Sequence, residues 1–166
     1  GIQNERGTLS QGVKELCSVP VAWGCAPGRP RSGYQALKAD RLCGSLIACP
    51  PRQMPEPIVT LQGSLLSSLS PSQRFFSENI ESAFIFAKAR LGYTLYPDIP
   101  HARQPGLCYI PVTDLPLIPF GVYCRYGNDQ PVIKRFLSLM SEYIRTVPDP
   151  ALGSADRTWT EDEAQD

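Results

Sequence analysis

Apolar and polar positions along this chain change period several times, and each change predicts an element. Gly1–Gly12 is polar and reads as a strand end running into a loop, and Val13–Leu16 reads as a short connector. Cys17–Pro27 (CSVPVAWGCAP) is dense in strand formers, and Pro20 places that strand at an edge or a bulge. Leu37, Ala39 and Leu42 have helical spacing within Ala36–Gly44, where Gly44 suits a C-cap. Ser45–Cys49 is a continuous apolar run, the pattern of a strand covered on both faces. Pro50–Pro57 holds four prolines in eight residues, which fix φ and stiffen a loop. Ile58, Leu61, Leu65, Leu66 and Leu69 return to helical spacing around Gly63, and Ser70–Ser77 reads as a loop leading into a short strand.

The clearest unit is Ser77–Pro97, SENIESAFIFAKARLGYTLYP. Ser77 and Asn79 carry oxygens able to cap a helix, and Glu78 and Glu81 put negative charge on its first turn. Ile80, Ala83, Phe84, Ala87 and Leu91 share one helical face, and Gly92 is the expected left-handed stop. Tyr93–Pro97 then reads as a short strand closed by proline. Further on, Gly106–Val112 and Phe120–Tyr126 are strands, and Gly127–Asp129 is a turn. Pro131 opens a helix with apolar positions 132, 133, 136, 137, 140, 144 and 147. From Pro148 the chain is polar and acidic, and 148–166 is expected to be a disordered tail. Alternating strands and helices predict a mixed α/β sheet with helices on both faces.

Composition narrows the function classes. With 42% hydrophobic and 19% charged residues, a packed core is expected. Sixteen basic residues balance sixteen acidic ones, which argues against a broad nucleic-acid footprint. No apolar run approaches the roughly 20 residues that span a bilayer, so no membrane partner is expected. The six cysteines form no C-x-x-C pair, and His101 is the only histidine, so neither a metal site nor a cofactor is expected. Cys49, Cys108 and Cys124 sit in apolar strand patterns and read as reduced structural thiols in a cytoplasmic protein. No serine-nucleophile motif, phosphate loop or metal-spaced acidic cluster is found, so no catalytic residue is assigned and the chain is read as no enzyme.

A binding crevice is better supported. The rigid loop after Ser45–Cys49 offers Pro50, Arg52, Gln53 and Met54 at the carboxyl end of a strand, where open α/β sheets bind ligands. Ser77 and Asn79 stand at a helix N-terminus, whose free N–H groups suit an anion. Arg52 adds a guanidinium able to grip a carboxylate with two hydrogen bonds.

The succession of an acidic-capped helix and Leu91-Gly92-Tyr93-Thr94-Leu95-Tyr96-Pro97 resembles the effector-binding domain of LysR-type bacterial transcriptional regulators. Ala26–Pro30 (APGRP) resembles the turn after that family's first crossover strand, and Pro119–Ile144 its second crossover strand and last helix. The resemblance covers about Val19–Ile144. Lys88 and Arg90 depart from it, Arg90 standing where glycine is common. It implies a two-lobed, periplasmic-binding-protein-like (type II) fold, with the second lobe complete and the first partial. The lobes and hinges would be 1–19 as a first-lobe remnant, 20–26 as a crossover, 27–119 as the second lobe, and 120–147 as the second crossover and last helix. It further implies a small, anionic effector, a homo-oligomer in the full-length protein, and DNA contacts made only through a domain missing here. Beginning at Gly1 without an initiator methionine, the chain is read as a fragment. The alternative of the same architecture is a solute-binding protein of a transport system.

Overall fold

The computed structural model describes residues 12–124 and 131–146, with the side chains of 16–121 and 131–146. The described residues divide into two compact units, one of residues up to Val19 with those from Pro119 onward, the other Pro20–Ile118. The expected turn at Gly127–Asp129, the end of the last strand and the acidic tail lie outside the described residues.

In the first unit, strand β1 (Gly12–Val19) pairs with β7 (Ile118–Cys124), and helix α3 (Pro131–Thr146) packs on β1. Residues 13–16, expected as a connector, are therefore strand, and only Pro20 separates β1 from β2 (Val21–Cys25). The proline breaks the ladder because it has no N–H to donate. Along α3, Leu137 is buried, and Ile133, Met140 and Ile144 beside it are half-buried.

The second unit is built on a sheet around β2, whose five residues are all buried. β2 runs antiparallel to β5 (Thr94–Pro97) on one side and to β6 (Cys108–Val112) on the other. Single bridges extend the sheet at both edges, from β6 to Leu37 and from Tyr93 to Leu46 at the start of β3 (Leu46–Ala48). β3 then pairs in parallel with β4 (Arg74–Phe76). Trp23 on β2 meets Tyr93 edge to face, ring centres 5.6 Å apart, and both are buried. On the connection from β5 to β6, Arg103 grips Asp98 through Nε at 2.8 Å and Nη2 at 2.6 Å, and lies 5.2 Å from the Tyr109 ring centre.

Two helices serve this unit. α1 (Glu56–Ser68) starts earlier than the apolar spacing suggests, because the Pro55 carbonyl accepts from the Ile58 and Val59 N–H groups, both at 3.0 Å, and Pro57 fits the first turn. It runs through exposed Gly63 without a break. α2 (Ile80–Lys88) buries Ala83, Phe84 and Ala87, with Ile80 packed beside them.

Two further local expectations fail. Ala36–Gly44 is not a helix: only Ala39–Arg41 forms a 3-10 turn. Leu37 is instead drawn into the sheet, donating to the Pro111 carbonyl and accepting from Thr113, both at 2.9 Å, and the Asp114 carboxylate takes the Ala39 N–H at 2.9 Å. Burial of Leu37 and these paired backbone groups outweigh a weak helical preference. Gly92 is not the left-handed stop of α2 either. Arg90 takes that conformation, with φ of 69°. Its guanidinium donates to the Pro27 carbonyl at 2.9 Å, and its own carbonyl accepts from Arg29 at 3.1 Å. Those bonds offset the strain that glycine, common here in the resembled family, would avoid. Gly92 is required for another reason, because a Cβ there would lie 2.4 Å from the Ser45 carbonyl oxygen.

Candidate functional site

Three parallel segments, β4, β3 and the stretch from Tyr93 into β5, end side by side in the second unit. Directly after β3 and β4 come Cys49 and Ser77, and Tyr96 stands near the end of β5. Ser77 is buried, and both its N–H (2.9 Å) and its hydroxyl (3.1 Å) donate to the Ala48 carbonyl. The Cys49 sulfur lies 3.7 Å from the Ser77 hydroxyl and 3.9 Å from that of Thr94. Beneath them Gln62, buried on α1, closes the end of β3 beyond its ladder. Its Oε1 accepts from the Cys49 N–H at 3.0 Å, and its Nε2 donates to the Cys49 carbonyl at 2.8 Å.

Ser77 is therefore not the helix cap that the sequence suggests. That role falls to Asn79, whose Oδ1 accepts from the Ser82 N–H at 2.8 Å. The sequence offers two capping residues in succession, and β4 claims the first for its own ladder. Pro50 is half-buried and accepts from the Gln53 N–H at 3.0 Å, closing a 3-10 turn over Pro51–Gln53. This turn exposes Arg52 and Gln53. Met54 faces inward, packed against the cluster of Ile47, Cys49, Ala83 and Ala87. Pro50, Met54, Ser77 and Asn79 thus surround the ends of β3 and β4, whereas Arg52 and Gln53 project from the rim.

Two ionisable groups on the floor of the site, Cys49 and Tyr96, are held neutral by burial. Burial pushes the Cys49 thiol above its usual range, against the opposing effect of the Ser77 and Thr94 hydrogen bonds. Tyr96 is also raised, by burial first and then by the Glu81 carboxylate and Cys49. At neutral pH both remain protonated, so the floor of the site offers S–H and O–H groups rather than charge. Positive charge at this end comes from Arg52 and from the N-terminus of α2.

Residue-by-residue reading missed Cys49, Gln62, Thr94 and Tyr96. Gln62 had a legible signal: it lies four residues after Ile58, on the face of α1 that Ile58 and Leu61 bury. Thr94 and Tyr96 lay within a recognised strand, but their convergence on Cys49 depends on strand order. A concavity of about 510 Å³ lies elsewhere, between α1 and the loop before β7, lined by Glu56, Pro57, Thr60, Leu61, Ser64, Leu115 and Pro116. None of the six expected residues lines it. Among the described residues no group of His, Cys, Asp or Glu is arranged to hold a metal ion, and no helix is long and apolar enough to cross a membrane.

No protein-family model and no curated protein matches this sequence. Solved structures do. The BenM effector-binding domain, solved with its effector benzoate, is similar at a TM-score of 0.55 and 16% identity, over 86% of this chain and 68% of that one. HinK, a LysR-family transcriptional regulator from Pseudomonas aeruginosa, gives 0.58 at 16% identity, over 82% of this chain and 48% of that one. The regulatory domain of MetR, a LysR-family regulator from N. meningitidis, gives 0.50 at 14% identity, over 86% of this chain and 67% of that one. This chain thus spans about two thirds of the isolated effector domains and about half of HinK. The chain has the α/β, periplasmic-binding-protein-like fold of LysR-family effector-binding domains.

Proposed function

We propose that this chain is the ligand-sensing part of a LysR-type transcriptional regulator, taking a small carboxylate at the ends of β3, β4 and β5. Arg52, Gln53, Ser77 and Asn79 contact the ligand, with Pro50 and Met54 shaping the approach. The protein is cytoplasmic and non-enzymatic. In its full-length form it is a homo-oligomer that contacts DNA through a domain outside this chain, and effector binding shifts the arrangement of subunits.

The observation that carries this reading is the convergence of three strand ends and one helix N-terminus, in a fold shared with effector-binding domains. That is the position where open α/β sheets receive ligands. The Arg52 guanidinium and the N-terminus of α2 favour an anion, against the Glu81 carboxylate on that helix's first turn. Benzoate, the effector in the BenM structure, is a reasonable first probe of the class.

Titration calorimetry of the chain with a panel of small carboxylates, beginning with benzoate, tests the assignment. Loss of a charge-assisted contact in Arg52→Ala is expected to weaken binding by about tenfold or more. Unchanged affinity in that variant removes Arg52 from the site.

A further inference from the structure

Prolines fix the hydrogen-bonding phase of the ladder between β2 and β6. Pro111 lies opposite Ala22 and has no N–H, and its carbonyl accepts from Leu37 on the far side. The pair Ala22–Pro111 therefore exchanges no hydrogen bonds. Pairs alternate along an antiparallel ladder, so Trp23–Ile110 is hydrogen-bonded, Gly24–Tyr109 is not, and Cys25–Cys108 is hydrogen-bonded. The other edge of β2 gives the same phase. Pro97 faces Val21 there and cannot donate, so Val21 turns its backbone groups to β6, and two steps of two later so does Cys25. Directly opposed residues in such a pair have Cα atoms about 5.5 Å apart. That Cα separation is within the range of disulfide-bonded cysteines. The Cβ atoms of a hydrogen-bonded pair, however, stand wider than the roughly 3.8 Å of a relaxed disulfide, so closing the bridge draws the strands together locally and leaves it strained and easily reduced.

The surroundings fit redox chemistry. Cys25 and Cys108 are both free thiols. Cys25 is fully buried and Cys108 half-buried, so only Cys108 is open to a soluble oxidant. Burial pushes Cys25 up to about 12 and raises Cys108, while Arg29 beside the first and Arg103 beside the second oppose the rise. A third thiol, Cys43, is near enough to Cys25 to influence it, yet these residues do not form a metal-holding group.

We infer that Cys25 and Cys108 form a reversible modification site, a cross-strand disulfide made by hydrogen peroxide or by a glutathione-class disulfide. With peroxide, the Cys108 thiolate attacks the O–O bond, giving a sulfenic acid and hydroxide. The Cys25 sulfur then attacks Sγ of Cys108, the S–O bond breaks, and the departing hydroxide takes the Cys25 proton as water. Two thiols lose two electrons, and the peroxide is reduced to two waters. With a glutathione-class disulfide, two successive exchanges release two glutathione thiols. Oxidation is slow at neutral pH, because both thiols are held protonated, and it accelerates as pH rises. The inference is independent of the ligand-binding reading.

Peptide mapping by mass spectrometry tests it. The reduced chain is treated with hydrogen peroxide or oxidised glutathione, free thiols are alkylated, and the digest is searched for bridged peptides. The same treatment in concentrated urea serves as a control in which strand register is lost. The expected result is a Cys25–Cys108 bridge dominant in the native chain, reversed by dithiothreitol, and diluted among other pairings in urea. The native bridge is further expected to raise the thermal midpoint by less than about 10 °C, because strain in the bridged strands offsets part of the gain from closing a long loop. Cys108→Ser, a substitution at a half-exposed position, is expected to leave Cys25 unoxidised. A native bridge from Cys43, Cys108 oxidised alone with Cys25 still free, or native and urea patterns that coincide would each overturn the inference.

Discussion

Gln62 shows how one side chain can complete a strand. Its amide pairs with both backbone groups of Cys49, where β3 has run out of ladder partners. Removing that amide leaves a buried donor and a buried acceptor without partners, and each such loss costs about 1–3 kcal/mol. Gln62→Ala is therefore expected to lower stability by about 3 kcal/mol in urea unfolding. Gln62→Leu, although it restores apolar volume, is expected to be similarly damaging. If the leucine variant proves as stable as the parent, the amide is not closing the strand. At this scale the sequence is legible where a residue breaks its own pattern, as a glutamine on the apolar face of α1 does. It is illegible where two residues compete for one role. Ser77 and Asn79 both suit a cap, and only the pairing of β4 with β3 decides that Asn79 takes it.

Among the elements, the passage from α2 into β5 is closely packed at Gly92. Gly92 lies where a Cβ would meet the Ser45 carbonyl, and that carbonyl already accepts from Tyr93 at 2.9 Å. An alanine must push the two segments apart, so Gly92→Ala is expected to cost at least about 2 kcal/mol. A melting curve unchanged within a degree would contradict this. The sequence marked the glycine correctly and gave it the wrong duty, because close approach and left-handed geometry call for the same residue. Strongly patterned elements such as α2, β2, β3 and α3 were legible. Ala36–Gly44 was misread because its helical spacing is short and its leucine is worth more in the sheet. The break at Pro20 was legible, but the strand before it was not, because Val13–Leu16 is too brief for its alternation to stand out.

Viewed whole, the second unit buries several groups that must stay protonated. Cys25, Cys49 and Cys108 are all raised above the ordinary thiol range, and Tyr93, Tyr96 and Tyr109 above the phenol range, with burial the leading cause in each. In the unfolded chain these groups ionise first, so from the thiol range upward the folded state binds more protons than the unfolded one. Stability is therefore fully present below about pH 8.5 and falls as pH rises, reaching the Cys25 limit only near pH 12. Urea midpoints measured from pH 7 to 10.5 are expected to decline, with Cys25→Ala showing a shallower fall than the parent. A flat profile would mean that these groups are not buried as described. The α/β class was legible at this scale from alternating elements, whereas the order of strands across the sheet was not. That order decides which strand ends converge, and with them the candidate site.

The central claim is that a small carboxylate binds where β3, β4 and β5 end. Backbone amide NMR of the labelled chain, titrated with benzoate and related carboxylates, tests it most directly. The account predicts saturable shifts concentrated in Arg52–Met54 and Ser77–Ser82, with the side-chain amide of Gln62 following. Shifts confined to the concavity between α1 and Leu115–Pro116, or no saturable shift with any member of the panel, would contradict it.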